Sequence, residues 1–546
     1  MIKLLLDNLQ DDIKHIIRDF GVEEEIEIFF ETPKDPTFGD YSINVAMRLA
    51  KILRSNPKQI ATRIVEKIDL KKHHLVKCEV AGAGFINFYF DRSYLANIIF
   101  QINEQKEAYG NLHLGNDKIN VEFVSANPTG YLHIGHGRGA AYGDSLVKIL
   151  RKAGFTVSAE HYVNDAGNQI NNLAYSIYER YKELFGLEAN LGPDSYHGPE
   201  IIEIAKIIKE EHGDKFLHDE WYNYFRKFGV DYLLEGLKKD LADFNVHFDT
   251  WFSEKSLYDQ NEVQKTIDYL IKNNYTYEQD GAVWLKTSNF GDDKDRVIIK
   301  SNGDLTYITP DIAYHANKFN RGFDLLIDVL GGDHHGYINR LRAAMACLGY
   351  NPDKVEIEIL QMVRIIKDGE ELKLSKRSGK AITLRDLIDE IGSDALRYLY
   401  VSKSLSTHMD LDLDLAIKQS NENPVYYIQY AYARICSLFR TLSDKGLDFR
   451  EVKQFTKINL EKVEPLIMLL LQYPLVIEEA ALKRIPHKIA QYIYELAGAF
   501  HSYYNDEKII TEDEVETNEK LTVLKAVQYV LKNSFDLIGV SAKEIM

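Results

Sequence analysis

Residues 121–150, VEFVSANPTGYLHIGHGRGAAYGDSLVKIL, constrain the fold of this chain more than any other stretch. A short β-rich run ends near Val124, Pro128 and Gly130 make a turn, and a helix starts near Ile134. A buried parallel strand that runs into a glycine-rich helix start is how an α/β nucleotide-binding domain begins. The helix N-terminus offers unpaired N–H groups and the positive end of a dipole, which suits an anion. Gly135, Gly137 and Gly139 place no side chain in the way of a phosphate. His133 and His136 stand three residues apart and share one side of the first turn. Two roles are open to them, capping the helix or donating to a common phosphate.

The rest of the chain reads as several units, since 546 residues exceed what one core usually holds. Residues 1–92 predict an α+β unit: an opening amphipathic helix, a strand-like IEIFFET, helices in INVAMRLAKILR and IATRIVEKI, and strands in VKCEVAGAG and FINFYF. A connector at 93–116 leads to an α/β domain expected over 117–390. Its alternation is interrupted at about 170–275 by a mostly helical insertion. Strand-like AVWLKT, VIIK and DLTYIT follow, then a helix DIAYHANKF, a strand LLIDVL and a helix from near Tyr337. A junction at 391–420 precedes a helical, tyrosine-rich unit at 421–546. The expected class is multidomain α/β, with a Rossmann-type parallel sheet between an α+β unit and an all-α unit.

Composition narrows the chemistry. Three cysteines, Cys78, Cys347 and Cys436, are too scattered for a disulfide framework or a CxxC zinc site, and a reducing cytoplasm fits them. The formal charge of −17 argues against non-specific nucleic-acid binding, so any RNA contact needs a local basic surface. Residues 133–152 hold four Lys/Arg against one acid, and residues 361–385 hold seven against three. No continuous apolar run approaches the eighteen or so residues that span a bilayer, so no membrane role is expected. Asp410, Asp412 and Asp414 alternate in MDLDLDLA, which reads as a solvated edge before it reads as a metal site. The pair His334-His335 lacks companion ligands at zinc spacing, so no metal site is expected.

HIGH after ANPTG, followed about 240 residues later by KLSKR (373–377), resembles the signature pair of class I aminoacyl-tRNA synthetases. The string FVSANPTGYLHIGHGRGA, the HYVNDAGNQ run, the DALR string Asp394 to Arg397 and the N-terminal FGDYSINVAMRLAK are similar to the arginyl branch of that family. The resemblance implies activation of L-arginine by ATP and transfer to tRNA-Arg, with Mg²⁺ arriving on ATP and no protein-bound zinc. It assigns catalysis to His133, His136, Lys373 and Lys376. Mobile ammonium groups suit a leaving pyrophosphate, because they follow charge as it builds. ATP contacts fall on the two histidines, Gly135, Gly137, Asp333, His335 and Ser375. Arginine contacts fall on Glu122, Asn127, Asn164, Tyr307 and Asp311, since a guanidinium calls for fixed carboxylates and amide oxygens.

Two bland readings stay open here, Asp311 as a helix N-cap and Glu122 as an edge-strand acid. Tyr426, Tyr430 and Arg434 at four-residue spacing, with His501 and Tyr504, are the expected tRNA contacts, because unpaired bases stack on aromatic and guanidinium planes. Packing in a core is the alternative for any single tyrosine. The sequence departs from the family at Gly332, where some members carry a glutamine, and at Lys373, where many lack a lysine. A cytoplasmic monomer is expected.

Overall fold

The computed structural model describes residues 1–332, 336–372 and 382–546. The N-terminal unit opens with α1 (Ile2–Asp19), which buries Leu5, Leu9, Ile13, Ile16 and Ile17 along one face. It packs with α2 (Val45–Leu53) and α3 (Pro57–Val65) on an antiparallel sheet of β1 (Tyr41–Ile43), β2 (Leu75–Ala81) and β3 (Phe85–Phe90), ordered β1-β3-β2. Asn56 caps α3 and Pro57 occupies its first turn, where a missing N–H costs nothing. The IEIFFET segment is not a strand. Its alternation has no ladder to join, and a single bridge between Glu31 and Ser42 is all that forms. The connector folds as α4 (Arg92–Leu95) and α5 (Asn97–Gln105).

Next come β4 (Lys118–Glu122), α6 (Ile134–Lys152), β5 (Thr156–Val163), α7 (Asn168–Glu183), α8 (Pro199–His212), α9 (Tyr222–Asp243) and β6 (Thr250–Ser253). Helices α7 to α9 form the insertion around their own core, which includes Leu173, Ile177, Tyr181, Ile204 and Phe225. The insertion ends earlier than residue 275. Four residues, TWFS, pair with β5 as β6 and return the chain to the sheet, too short a run to announce itself as a strand. After α10 (Glu254–Asp259) and α11 (Glu262–Lys272), β7 (Thr276–Gln279), β8 (Ala282–Leu285) and β9 (Arg296–Ile299) make an antiparallel meander. The DLTYIT segment contributes one bridge, Ile299 to Leu305, and then enters α12 (Ile308–Asn320).

With β10 (Leu325–Gly331), α13 (Tyr337–Cys347) and β11 (Val355–Leu360) the central sheet is complete: five parallel strands in the order β11-β10-β4-β5-β6. The chain lays strands outward from β4 on one side, then returns to the other side at β10. Ligands of open α/β sheets bind where the order reverses, beyond the carboxyl ends of the strands. That point is the end of β4 and β10.

A small sheet of β12 (Val363–Lys367), β13 (Glu370–Glu371) and β14 (Met409–Asp412) adjoins α14 (Leu384–Ile391), α15 (Ser393–Val401) and α16 (Leu413–Ala416). The three aspartates of MDLDLDLA make no metal site: Asp410 pairs with Arg364, Asp412 caps α16 and Asp414 accepts the Asp368 N–H. The C-terminal unit is α17 (Pro424–Asp444), α18 (Leu460–Lys483), α19 (His487–Asp506) and α20 (Glu514–Ile538). By length and composition α18 is apolar enough to cross a membrane, a property that its interrupted sequence hid. In the fold it is a core helix, with Leu466, Ile467, Leu470 and Ile477 buried.

Candidate active site

The turn that leaves β4 is strained. Val124 and Ser125 hold φ of +69° and +39°, a region that costs non-glycine residues about 1–3 kcal/mol each. The Ser125 hydroxyl fixes it by donating to Glu122 Oε1 at 2.8 Å and accepting the Tyr162 N–H at 3.1 Å. The chain then turns into α6, whose start is a reciprocal cap. His133 Nδ1 accepts the Gly135 N–H at 3.1 Å, and His136 Nδ1 accepts the His133 N–H at 3.2 Å. The rings stack with centroids 3.6 Å apart. Capping and phosphate donation are therefore not alternatives. An Nδ1 that accepts a backbone N–H leaves the proton on Nε2, so each neutral ring keeps one donor for a ligand. Desolvation lowers the pKa of both rings, His136 to about 3, which keeps them neutral.

The glycines do less for phosphate than their spacing suggested. A Cβ on Gly137 would come within 2.8 Å of Leu384 and 3.1 Å of Tyr400, so this residue serves the packing of α6 on α14 and α15. Gly139 is likewise buried, and Gly135 alone of the three stays near the surface. Nor is residues 133–152 a basic surface. Arg138 is fully buried and donates to the carbonyls of Gln361 and Ser404, Lys148 and Arg151 pair with Asp144 and Asp249, and Lys152 donates to the Glu107 carbonyl. In residues 361–385, Arg364, Lys367 and Arg385 are paired with acids too.

Glu122 is no edge-strand acid. It ends the central strand β4, in register with Asp328 on β10 and Glu160 on β5, so three carboxylates sit side by side on one sheet face. All three are buried. Helix α12 lies over them and brings cations at helical spacing. Lys318 Nζ is 2.6 Å from Glu122 and 2.8 Å from Asp328; Arg321 grips Glu160 through both terminal nitrogens at 2.6 and 2.7 Å. His315 Nε2 lies 2.7 Å from Asp328, and its Nδ1 lies 3.1 Å from the Asp311 carboxylate. Burial alone would lower the His315 pKa, but Asp328 and Asp311 raise it to about 10, so the ring is an imidazolium at neutral pH. Glu122, His315 and Asp328 are close enough together to hold a metal ion. Lys318 already supplies the cation between the two acids, which leaves that charge with nothing to neutralise.

Asp311 is not an N-cap. Tyr307 holds that position, and Asp311 sits a turn inside α12, taking a hydrogen bond from the Tyr337 hydroxyl. Its side chain is 28% exposed and faces the crevice end of the acid row. On the far side, Asn127 donates to Gln169 Oε1 at 2.7 Å. Asn164, with its amide oriented to satisfy its neighbours, donates to Glu254 Oε2 at 2.9 Å and to the Ala166 carbonyl at 3.1 Å. Glu254 was missed by sequence reasoning. It is buried at the start of α10, and burial together with Asp165 and Asp311 raises its pKa to about 7. The only signal was its place one residue past β6, itself unread. Tyr307 stands apart from the group at 89% exposed. Asp333, His335, Lys373, Ser375 and Lys376 lie outside the described residues.

A second constellation lies on the helical unit. Tyr426 and Tyr430 stack at 5.8 Å on α17, Tyr430 stacks on His501 of α19 at 6.0 Å, and the Arg434 guanidinium lies over Tyr430 and Tyr504 at 5.1 and 4.2 Å. All five are half-buried, and Tyr430, Arg434 and His501 border a cavity of about 350 Å³ with Asn421, Ser502 and Asn505. Phe500 and Tyr503 turn inward to the core, as a tyrosine-rich helix usually does.

A parallel sheet with a histidine-capped helix at its switch point, carrying a helical insertion and followed by an all-helical unit, is the arrangement of a class I tRNA synthetase. Residues 98–404 match the model of the tRNA synthetases class I (R) catalytic domain, residues 7–90 the arginyl tRNA synthetase N terminal domain, and residues 428–546 the DALR anticodon binding domain. The arginine–tRNA ligase of Bacillus subtilis is 50% identical over 99% of both chains, and that of Bacillus pumilus 51% over 99% of both. The Thermus thermophilus arginyl-tRNA synthetase structure shares the fold, with a TM-score of 0.75 at 20% identity over 99% of this chain and all of that one. This chain belongs to the arginine–tRNA ligase family.

Proposed function

We propose that this chain activates L-arginine with ATP, forming arginyl-adenylate and pyrophosphate, and passes the arginyl group to the 3′ end of tRNA-Arg with release of AMP. The observation that supports this reading is that the α6 start, with two Nε2–H donors, follows the end of β4, while Glu254 follows the end of β6 and lies near Asp311 at the same end of the sheet. One pair suits phosphate, the other a guanidinium. In the first step an arginine carboxylate oxygen bonds to the α-phosphorus in line as the bond to pyrophosphate breaks, with His133, His136, Lys373 and Lys376 stabilising the charge. Gly135, Ser375, Asp333 and His335 complete the ATP contacts. Arginine is held by Asp311, Glu122, Asn127, Asn164, Tyr307 and, added here, Glu254. In the second step a ribose hydroxyl attacks the adenylate carbonyl and AMP leaves.

Mg²⁺ comes with ATP and screens the phosphates, held by them and by water. The acid row suits it poorly, because Lys318 and Arg321 already neutralise it. Tyr426, Tyr430, Arg434, His501 and Tyr504 receive unpaired anticodon-loop bases, and residues 1–92 meet the outer corner of the tRNA. Residues 117–390 carry the chemistry, and the chain works as a cytoplasmic monomer. Charging of a tRNA-Arg transcript with labelled arginine, against citrulline as a neutral control, tests the reading. Arginine is charged and citrulline is not, and His136→Ala lowers kcat by about 10²–10³. Equal use of citrulline, or full activity of His136→Ala, overturns it.

A further inference from the structure

Charges along α12 and the strands beneath it alternate from the protein interior outward. Arg321 sits on Glu160; Lys318 lies between Glu122 and Asp328; His315 lies between Asp328 and Asp311. The alternation ends at Asp311, which is 28% exposed and, among the described residues, forms an ion pair with His315 alone. Lys318 and His315 have almost no exposed surface, and the acids between them are equally sealed, so none of these charges is screened by water. A guanidinium on Asp311 would be the next term of the series.

We infer that His315 is a positioning residue for arginine: bonded to Asp328 through Nε2 and to the Asp311 carbonyl through Nδ1, with the Asp311 carboxylate in contact with the same nitrogen, it ties Asp311 to Asp328 and so fixes the open end of a buried row of alternating charges. This rests on Asp311 being an arginine ligand. His315 Nδ1 donates to the Asp311 backbone carbonyl at 2.8 Å and lies 3.1 Å from its carboxylate Oδ1, while the Tyr337 hydroxyl donates to Oδ2. The Tyr337 bond and the His315 contact together set the carboxylate's plane, and a fork-shaped donor such as a guanidinium is sensitive to that plane. Asp328 in turn cannot swing, because its two oxygens are divided between Lys318 and His315. The selectivity of the pocket thus depends on a histidine that touches no substrate. The charged and titratable groups around it are Asp311 and Lys318 on its own helix, Tyr314 beside it, Asp328 on β10, Glu122 on β4 and Tyr337 on α13.

The test is steady-state charging of tRNA-Arg by the full chain with His315→Gln, His315→Lys, Asp328→Asn and, as a control, Asp311→Asn. His315→Gln is expected to raise the arginine KM tenfold or more, with kcat within threefold and the ATP KM unchanged. His315→Lys, which restores a cation, recovers part of that loss, and Asp328→Asn reproduces it. Far-ultraviolet dichroism and thermal melts establish that each variant is folded, and a variant that unfolds is replaced in the comparison by wild type titrated with agmatine as a guanidinium competitor. If the Asp311→Asn control leaves the arginine KM untouched, the pocket assignment itself fails. If Asp311→Asn raises it but His315→Gln does not, or if kcat and the ATP KM fall in step with it, only the inference about His315 is overturned. Agmatine that competes with ATP and not with arginine counts against both.

Discussion

Lys318 shows how far a single side chain in this fold departs from its usual setting. It has no exposed surface, yet Asp328 and Glu122 hold it more firmly protonated than a free lysine, against the effect of burial. Burial drives the partner Glu122 carboxyl upward, against the pull of that lysine. His315, held protonated up to about pH 10, has a consequence for stability. A group whose pKa is raised on folding contributes fully below its unfolded value, near 6.5, and loses that contribution as pH rises through its folded value. Between those limits the wild type should lose up to roughly 1.4 kcal/mol per pH unit from this residue. Urea unfolding at pH 6 to 10 checks it: the stability gap between wild type and His315→Gln narrows steadily as pH rises. A gap that is constant or widens would mean that the ring is neutral in the folded state.

Helix α6 is the element on which the site depends, and most of it was legible because its signals are local. The glycines, the two histidines and the turn residues all lie within one stretch, and the helix begins at Ile134 as read. What was not legible comes from partners distant in sequence. Gly137 was read as room for phosphate, but its necessity comes from Leu384 and Tyr400, some 250 residues on. Strand β6 carried too little sequence to be seen and took Glu254 out of view with it. Tyr426, Tyr430 and Arg434 were legible because i, i+4 spacing puts side chains on one helix face whatever packs around them. The tightest point of the α6 packing is Gly143, where a Cβ would fall 2.2 Å from the Phe123 ring of the strand end. Gly143→Ala should cost about 1–3 kcal/mol through overpacking. Because the helix must shift to relieve it, the ATP KM should rise too. Thermal melting and charging kinetics read both, and an unchanged KM at lowered stability would separate the packing of α6 from its phosphate end.

At the scale of the molecule, Arg397 of the DALR string joins three regions. From a fully buried position its guanidinium donates to Asp144 on α6, to the carbonyls of Phe244 and Asn245 after α9, and to that of Ile538 at the end of α20. Gly539 is glycine for its sake, since a Cβ there would lie 2.3 Å from Arg397 Nε. Arg397→Met takes that donor from the three carbonyls and leaves Asp144 with Lys148 alone, and should cost about 3–5 kcal/mol, read as a fall in the denaturation midpoint of the whole chain. If only the helical unit loosened, the joint would be less shared than its bonds indicate. Helix α20 reaches still further back, covering the connector: Asn103 donates to the Thr522 carbonyl and Asn533 to that of Lys106. A ribosome makes the connector more than 400 residues before the helix that shields it. Ile98, Ile99 and Ile102, fully enclosed at the end, must wait uncovered through most of translation, so the nascent chain has its greatest need of a chaperone at its beginning.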